Sequence, residues 1–173
     1  MTTVGELTLS TVDAEATRTV GAARAARLRP GDAVSLAGEL GAGKTCLVQG
    51  VARALGVEAR ITSPTFVLVK QYPGRLRLVH VDVYRLNQLQ DVLDLGDEVF
   101  APDAATFVEW GDAVAAVLPD DRLDVELVLA DPEDLDSTRR RIHLTAHGSW
   151  GDRLPDLRDD LAKWVDDPAA PEE

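Results

Sequence analysis

The spacing of apolar residues changes several times along the chain, and each change marks an element. Between Glu6 and Val12, Leu7 and Leu9 alternate with polar neighbours, the period of a short half-buried strand. From Ala14 to Leu28 the apolar positions, Val20, Ala23 and Leu28 among them, fit a helix, with Asp13 at the N-cap and Arg29-Pro30-Gly31 as the stop. Ala33 to Ala37 is an unbroken apolar run of strand length after the turn Pro30-Gly31-Asp32. Leu47, Val48, Val51, Ala52 and Leu55 return to helical spacing, and Gly56 ends it.

The second half alternates in the same way. Phe66 to Tyr72 and Leu76 to Tyr84 read as the strands of a hairpin turning at Pro73-Gly74. In the second strand Leu76, Leu78, His80, Asp82 and Tyr84 share one face, and Val79, Val81 and Val83 take the other. Leu89 to Phe100 is expected to be helical, with Gly96 as the place for a break. Ala105 to Val108 is apolar on both faces, as a central parallel strand is, and ends in Glu109-Trp110-Gly111. Asp112 to Leu118 is a short helix stopped by Pro119. Leu123 to Leu129 and Arg141 to Ala146 are two late strands across a polar turn. Beyond Gly148 the composition shifts. Residues 150–173 hold eight acidic and three basic side chains, and Leu154, Leu157, Leu161 and Trp164 recur at helical spacing.

One stretch carries recognisable chemistry. Gly38-Glu39-Leu40-Gly41-Ala42-Gly43-Lys44-Thr45 fits G-x-x-x-x-G-K-S/T and lies between a buried strand and a helix, where a phosphate-binding loop belongs. Glycines allow the backbone close to phosphate oxygens, and the loop N–H groups form an anion-binding concavity. Lys44 would reach the β- and γ-phosphates, and the Thr45 hydroxyl would sit on Mg2+. The fold class expected is therefore α/β, a single P-loop NTPase-like domain with a central mixed, largely parallel sheet flanked by helices. That domain would span residues 1–148, with residues 149–173 as an acidic C-terminal extension made of an amphipathic helix and a disordered end.

Such a site needs an acid at the end of a neighbouring strand. Glu109 ends a strand apolar on both faces, where ligands bind in open α/β sheets, and is the candidate for Mg2+. Asp82, read as lying within its strand, is better placed to position water or to link to the γ-phosphate. Thr65, in the loop after the helix, is either a switch residue sensing the γ-phosphate or an ordinary turn threonine. Trp110 stacks on a base or partner, or is a half-buried strand end. His80 reads as a satisfied sheet histidine, and Arg139-Arg140-Arg141 as a solvated strand start that can present one Arg to the nucleotide. Cys46, at a helix N-terminus, reads as a small helix-start residue.

Composition narrows the function classes. The net charge of −12 argues against a free-standing nucleic-acid binder and against docking to an anionic membrane. The single cysteine excludes a disulfide within the chain, and no apolar run reaches transmembrane length, so a cytoplasmic protein is expected. A GTPase is disfavoured because no Asn-Lys-x-Asp occurs. A small-molecule kinase of the P-loop class is the alternative to an ATPase, though no Arg-rich lid is evident. A nucleotide-gated binding protein without turnover is the third reading.

Four stretches occur in order: Gly38 to Thr45, Ser63-Pro64-Thr65-Phe66, His80-Val81-Asp82-Val83-Tyr84-Arg85 and Glu109-Trp110. Together they resemble the TsaE family, the P-loop ATPases of bacterial tRNA threonylcarbamoyladenosine biosynthesis, over roughly residues 5–148. The resemblance implies an ATPase, weak alone, that works with TsaB and TsaD proteins and meets tRNA only through them. It implies that Leu40, Gly41, Ala42, Gly43, Lys44 and Thr45 bind the ATP phosphates and that Trp110 lies near the nucleotide or the partner surface; Cys46, Thr65 and Arg139 complete the candidate nucleotide site. Thr45 and Glu109 would serve Mg2+, and Asp82 with Lys44 would serve hydrolysis. Two departures stand out: Cys46 replaces a threonine common in the family, and Thr138-Arg139 stands where members often carry Gly-Arg.

Overall fold

The computed structural model describes residues 3–63, 69–83, 93–94 and 98–166. Among these, β1 (Thr3–Thr11), β2 (Ala33–Ala37), β3 (Val69–Tyr72), β4 (Arg77–Asp82), β5 (Ala104–Glu109), β6 (Leu123–Leu129) and β7 (Arg140–His147) form one sheet. Its order is β1-β7-β6-β2-β5-β4-β3. The central strands β6, β2, β5 and β4 are parallel; on one side β7 pairs antiparallel with both β6 and β1, and on the other β3 pairs antiparallel with β4. This is the mixed, largely parallel α/β sheet that the alternation of periods predicts.

Helices α1 (Ala14–Ala25) and α2 (Lys44–Ala54) cover one face of the sheet, and α3 (Trp150–Asp160) packs beside α1. The Asp13 carboxylate caps α1 as expected, accepting from the Ala16 N–H at 2.7 Å. The two large helices cross in backbone contact: a Cβ on Gly50 would lie 1.8 Å from the Arg18 carbonyl oxygen, so only glycine fits there. The main core lies between helices and sheet and includes Val34, Leu36, Leu47, Val51, Leu78, Phe107, Leu123 and Ile142. A smaller core on the opposite face gathers Val79, Val81, Val99, Ala104, Val108 and Val114. Strand β5 thus feeds both cores, as its two apolar faces require.

Two details differ from the sequence reading. Strand β4 ends at Asp82 because its parallel partner β5 ends at Glu109, with Asp82 and Glu109 paired in register. Asp82 is therefore a strand-end residue, not a mid-strand one. The short helix after β5 is a 3-10 helix, Gly111–Val117, broken at Val114 where φ and ψ leave the helical region. The helix expected over Leu89 to Phe100, the start of the hairpin at Phe66, and Thr65 lie largely or wholly outside the described residues.

The helix expected after Gly148 forms at α3, and its apolar side enters the main core through buried Trp150 and Leu157, with Leu161 just beyond. Arg153 ties it to the strand before the glycine loop. Its Nη1 and Nη2 each donate to Asp32 at 2.8 Å, and its guanidinium lies 3.7 Å from the Trp150 ring centre. On the surface, Arg27 donates to Asp156 and Asp160. Past α3 the chain runs beside β1, where Val165 bridges Leu9 and the Asp166 N–H donates to Thr8 O at 2.9 Å. The chain end expected to be disordered falls outside the described residues.

Two buried arginines make opposite predictions. Arg153 has Asp32, but among the described residues none of the three side-chain nitrogens of Arg24 has a hydrogen-bond partner. Burial, working against the attraction of Asp32, pulls the Arg24 pKa down to about 10. Arg24→Met is expected to raise the unfolding midpoint, removing about 1–3 kcal/mol of unmet desolvation. Arg153→Met should cost about 3–5 kcal/mol, because Asp32 stays buried without its partner. Thermal and urea unfolding of both variants checks the two signs.

Candidate functional site

The site is built where β2 stops. After Ala37 the chain turns through Gly38, Gly41 and Gly43, all with positive φ, and enters α2 at Lys44. Gly38 is required by space as well as by dihedral, since a Cβ there would meet Leu127 O at 2.4 Å. Gly43 caps α2 with no side-chain hydrogen bond, which leaves N–H groups of the first turn facing the loop. A helix start of this kind attracts anions through both its free donors and its dipole.

Lys44 is largely buried and bends back over the loop. Its Nζ donates to Gly38 O at 2.5 Å and to Glu39 O at 3.0 Å, and lies 4.1 Å from the centre of the Trp110 ring. Burial pulls its pKa below the usual lysine value, against the attraction of Glu109, Asp82, Asp112 and Glu39. Trp110 holds its ring there from a left-handed backbone, φ 60 and ψ 31, which a non-glycine residue adopts at a cost of roughly 1–2 kcal/mol. Strain of this kind concentrates at ligand clamps and active sites.

The carboxylates arrive from the neighbouring strands. The Thr45 hydroxyl donates to Glu109 Oε1 at 2.8 Å, and His80 Nε2 lies 2.9 Å from the same oxygen. Burial pushes the Glu109 carboxyl upward, but the His80 and Thr45 hydrogen bonds and the Lys44 charge outweigh it and hold it below the usual value. Asp82, beside Glu109 in register, accepts from Ser63 Oγ at 3.1 Å. A pocket of about 400 Å³ joins these groups, lined by Gly43, Lys44, Thr45, Asp82, Glu109 and Trp110. A larger cavity of about 740 Å³ opens on the other side of the loop, walled by Leu127, Leu129, Pro132 and Leu135. Leu40 and Trp110 line both cavities, and Cys46 lines the smaller one.

So Gly41, Ala42, Gly43, Lys44, Thr45, Asp82, Glu109 and Trp110, separated by up to about 70 positions in sequence, meet at the C-terminal edge of the parallel strands. Residues 11–141 match the family described as threonylcarbamoyl adenosine biosynthesis protein TsaE. The chain belongs to the TsaE family. A tRNA threonylcarbamoyladenosine biosynthesis protein TsaE of Bacillus subtilis is 37% identical over 145 residues, 83% of this chain and 88% of the relative. The protein of the same name from Treponema pallidum is 48% identical over 106 residues, 60% of this chain and 78% of the relative. The crystal structure of Bacillus subtilis YdiB superposes with a TM-score of 0.72 at 32% identity, covering 92% of this chain and 95% of the other. Among the described residues no helix is long and apolar enough to cross a membrane.

Within this TsaE-family site, two residues that sequence reasoning passed over touch the machinery. His80, read as an ordinary sheet histidine, reaches Glu109. Arg140 reaches the loop in place of Arg139: its Nε donates to Ala42 O at 3.1 Å and its Nη2 to Gly41 O at 3.3 Å. Arg139 is exposed on the neighbouring position. The signal was parity, because Arg140 is in phase with Ile142 and Leu144, the core-facing residues of β7. A trans peptide points its C=O and N–H to opposite sides, so a guanidinium holding the Ala42 carbonyl turns the Gly43 N–H away from Arg140. Arg140→Met is expected to weaken nucleoside triphosphate binding roughly tenfold, the worth of one charged hydrogen bond, with little change in the unfolding midpoint. Arg139→Met should leave binding within about twofold. Calorimetric titration of both variants separates them.

Proposed function

We propose that this chain binds Mg-ATP on the Gly38–Thr45 loop and hydrolyses it, and that the cycle regulates or resets TsaB- and TsaD-like partners in tRNA threonylcarbamoyladenosine biosynthesis. The observation that carries the reading is the Thr45–Glu109 hydrogen bond beneath an uncapped helix start, with Asp82 in register beside it. These are hydroxyl and carboxylate oxygens, the hard donors that Mg2+ takes. Among the described residues no three His, Cys, Asp or Glu side chains cluster as a metal cage. None is needed, since Mg2+ keeps several waters and completes its shell with phosphate oxygens. When bound, the ion supplies charge neutralisation at the β- and γ-phosphates.

The chain's own residues divide the remaining work. The N–H groups from Leu40 to Cys46 hold the phosphates, and Lys44 exchanges its loop carbonyls for phosphate oxygens. Asp82, steadied by Ser63, orients the water that attacks the γ-phosphorus. Trp110 walls the phosphate pocket beside Lys44. Thr65 would sense the γ-phosphate from the segment that follows Ser63. The net charge of −12 leaves phosphate neutralisation of an RNA to the partners.

Lys44→Ala is expected to keep the fold and lose ATP binding. Glu109→Gln should raise the Mg2+ requirement more than it weakens metal-free nucleotide binding. Asp82→Asn should spare binding and slow hydrolysis by about 100-fold or more. Turnover measured alone and with TsaB, TsaD and tRNA should rise in the complete mixture. Native hydrolysis by folded Lys44→Ala, or tight binding of naked tRNA by this chain alone, would refute the reading.

A further inference from the structure

We infer that His80 is a positioning residue that fixes the Glu109 carboxylate through its Nε2–H, so that one oxygen is committed to the protein and the other is left for the ligand side. The inference rests on the reading that Glu109 serves Mg2+. His80 is fully buried on β4, on the face it shares with Leu78 and Asp82. Its register partner on β5 is Phe107, so it reaches Glu109 diagonally, two residues further on. Glu109 Oε1 then receives two contacts, His80 Nε2 at 2.9 Å and the Thr45 hydroxyl at 2.8 Å. Two donors on one oxygen set both the position and the rotation of the carboxylate.

The other ring nitrogen makes no such contact. Among the described residues His80 Nδ1 has no hydrogen-bond partner, although it is completely shielded from water. A polar atom left unmet in such a place is destabilising. The geometry fits Nε2–H donating to the Glu109 carboxylate, with Nδ1 as the ring nitrogen left without a partner.

Restraint matters here because Lys44 is close. Its charge attracts the Glu109 carboxylate, while its own hydrogen bonds go to Gly38 O and Glu39 O. A carboxylate freed from His80 would turn toward that ammonium and take it from the phosphates. Partners in the second layer around a metal ligand typically govern 10- to 100-fold in metal affinity or activity.

The test compares His80→Leu, which removes the donor, with His80→Gln, whose amide nitrogen can occupy the place of Nε2. If His80→Leu fails to fold, His80→Asn replaces it, because its shorter amide cannot reach Glu109. The readouts are the Mg2+ concentration giving half-maximal ATP turnover, the metal-free ATP affinity, and the 15N spectrum of the His80 ring in the unmodified chain. The expected result is a rise of about 10-fold or more in the Mg2+ requirement of the donor-less variant, with metal-free affinity within about twofold, and recovery in His80→Gln. The spectrum should show the Nε2–H tautomer and should change in Glu109→Gln. An unchanged Mg2+ requirement in folded His80→Leu, equal defects in the Leu and Gln variants, or a proton on Nδ1 would overturn the inference. If the unmodified chain itself binds no ATP, the proposed function fails, and the 15N spectrum still decides the His80–Glu109 hydrogen bond.

Discussion

Three parallel strands end at one level, and the site exists because of that register. Leu36 of β2 pairs with Glu109 of β5, and Glu109 pairs with Asp82 of β4. The glycine loop starts two residues beyond Leu36, so the loop, the two carboxylates and the start of α2 fall within one small volume. Nothing in the loop itself could bring them there. The pairing is enforced by side chains buried on both faces: Leu78 and Phe107 on the helix side, Val79, Val81 and Val108 on the other. A slip of one residue would exchange these faces and send Asp82 and Glu109 away from the loop.

Charge placement follows from the same geometry. Lys44, Asp82 and Glu109 are all nearly buried, and each would be costly alone. Together they compensate, the lysine losing affinity for its proton through burial while the glutamate keeps its charge through donors. The pocket thus holds ionised groups in fixed positions without a full cage around any of them. That is the state a site needs if a phosphate and a hard cation are to enter it together.

Much of this was legible locally. The glycine spacing, the flanking strand and helix, the two apolar faces of β5 and the alternation in β4 all follow from periods within a few residues. The contacts that tune the site were not. The end of β4 is set by the length of β5, so Asp82 looked mid-strand until its partner was known. His80 and Glu109 are 29 residues apart, Arg140 and Ala42 are 98 apart, and Arg153 and Asp32 are 121 apart. No local pattern encodes such pairs, although the parity of Arg140 with Ile142 was a usable hint. Trp110 entering a left-handed turn was equally hidden, since that conformation normally advertises itself through glycine.

The last described residues have a consequence for the molecule among its neighbours. Strand β1 is the outermost strand on its side of the sheet, and an open edge offers unpaired peptide groups to any other chain that is extended. Here Val165 and Asp166 occupy the edge at Leu9 and Thr8, and the Asp166 carboxylate pairs with Arg141 of β7. The C-terminal segment therefore covers part of that edge. Proteolytic loss of a few residues there would open the edge at Thr8 and Leu9 to another extended chain.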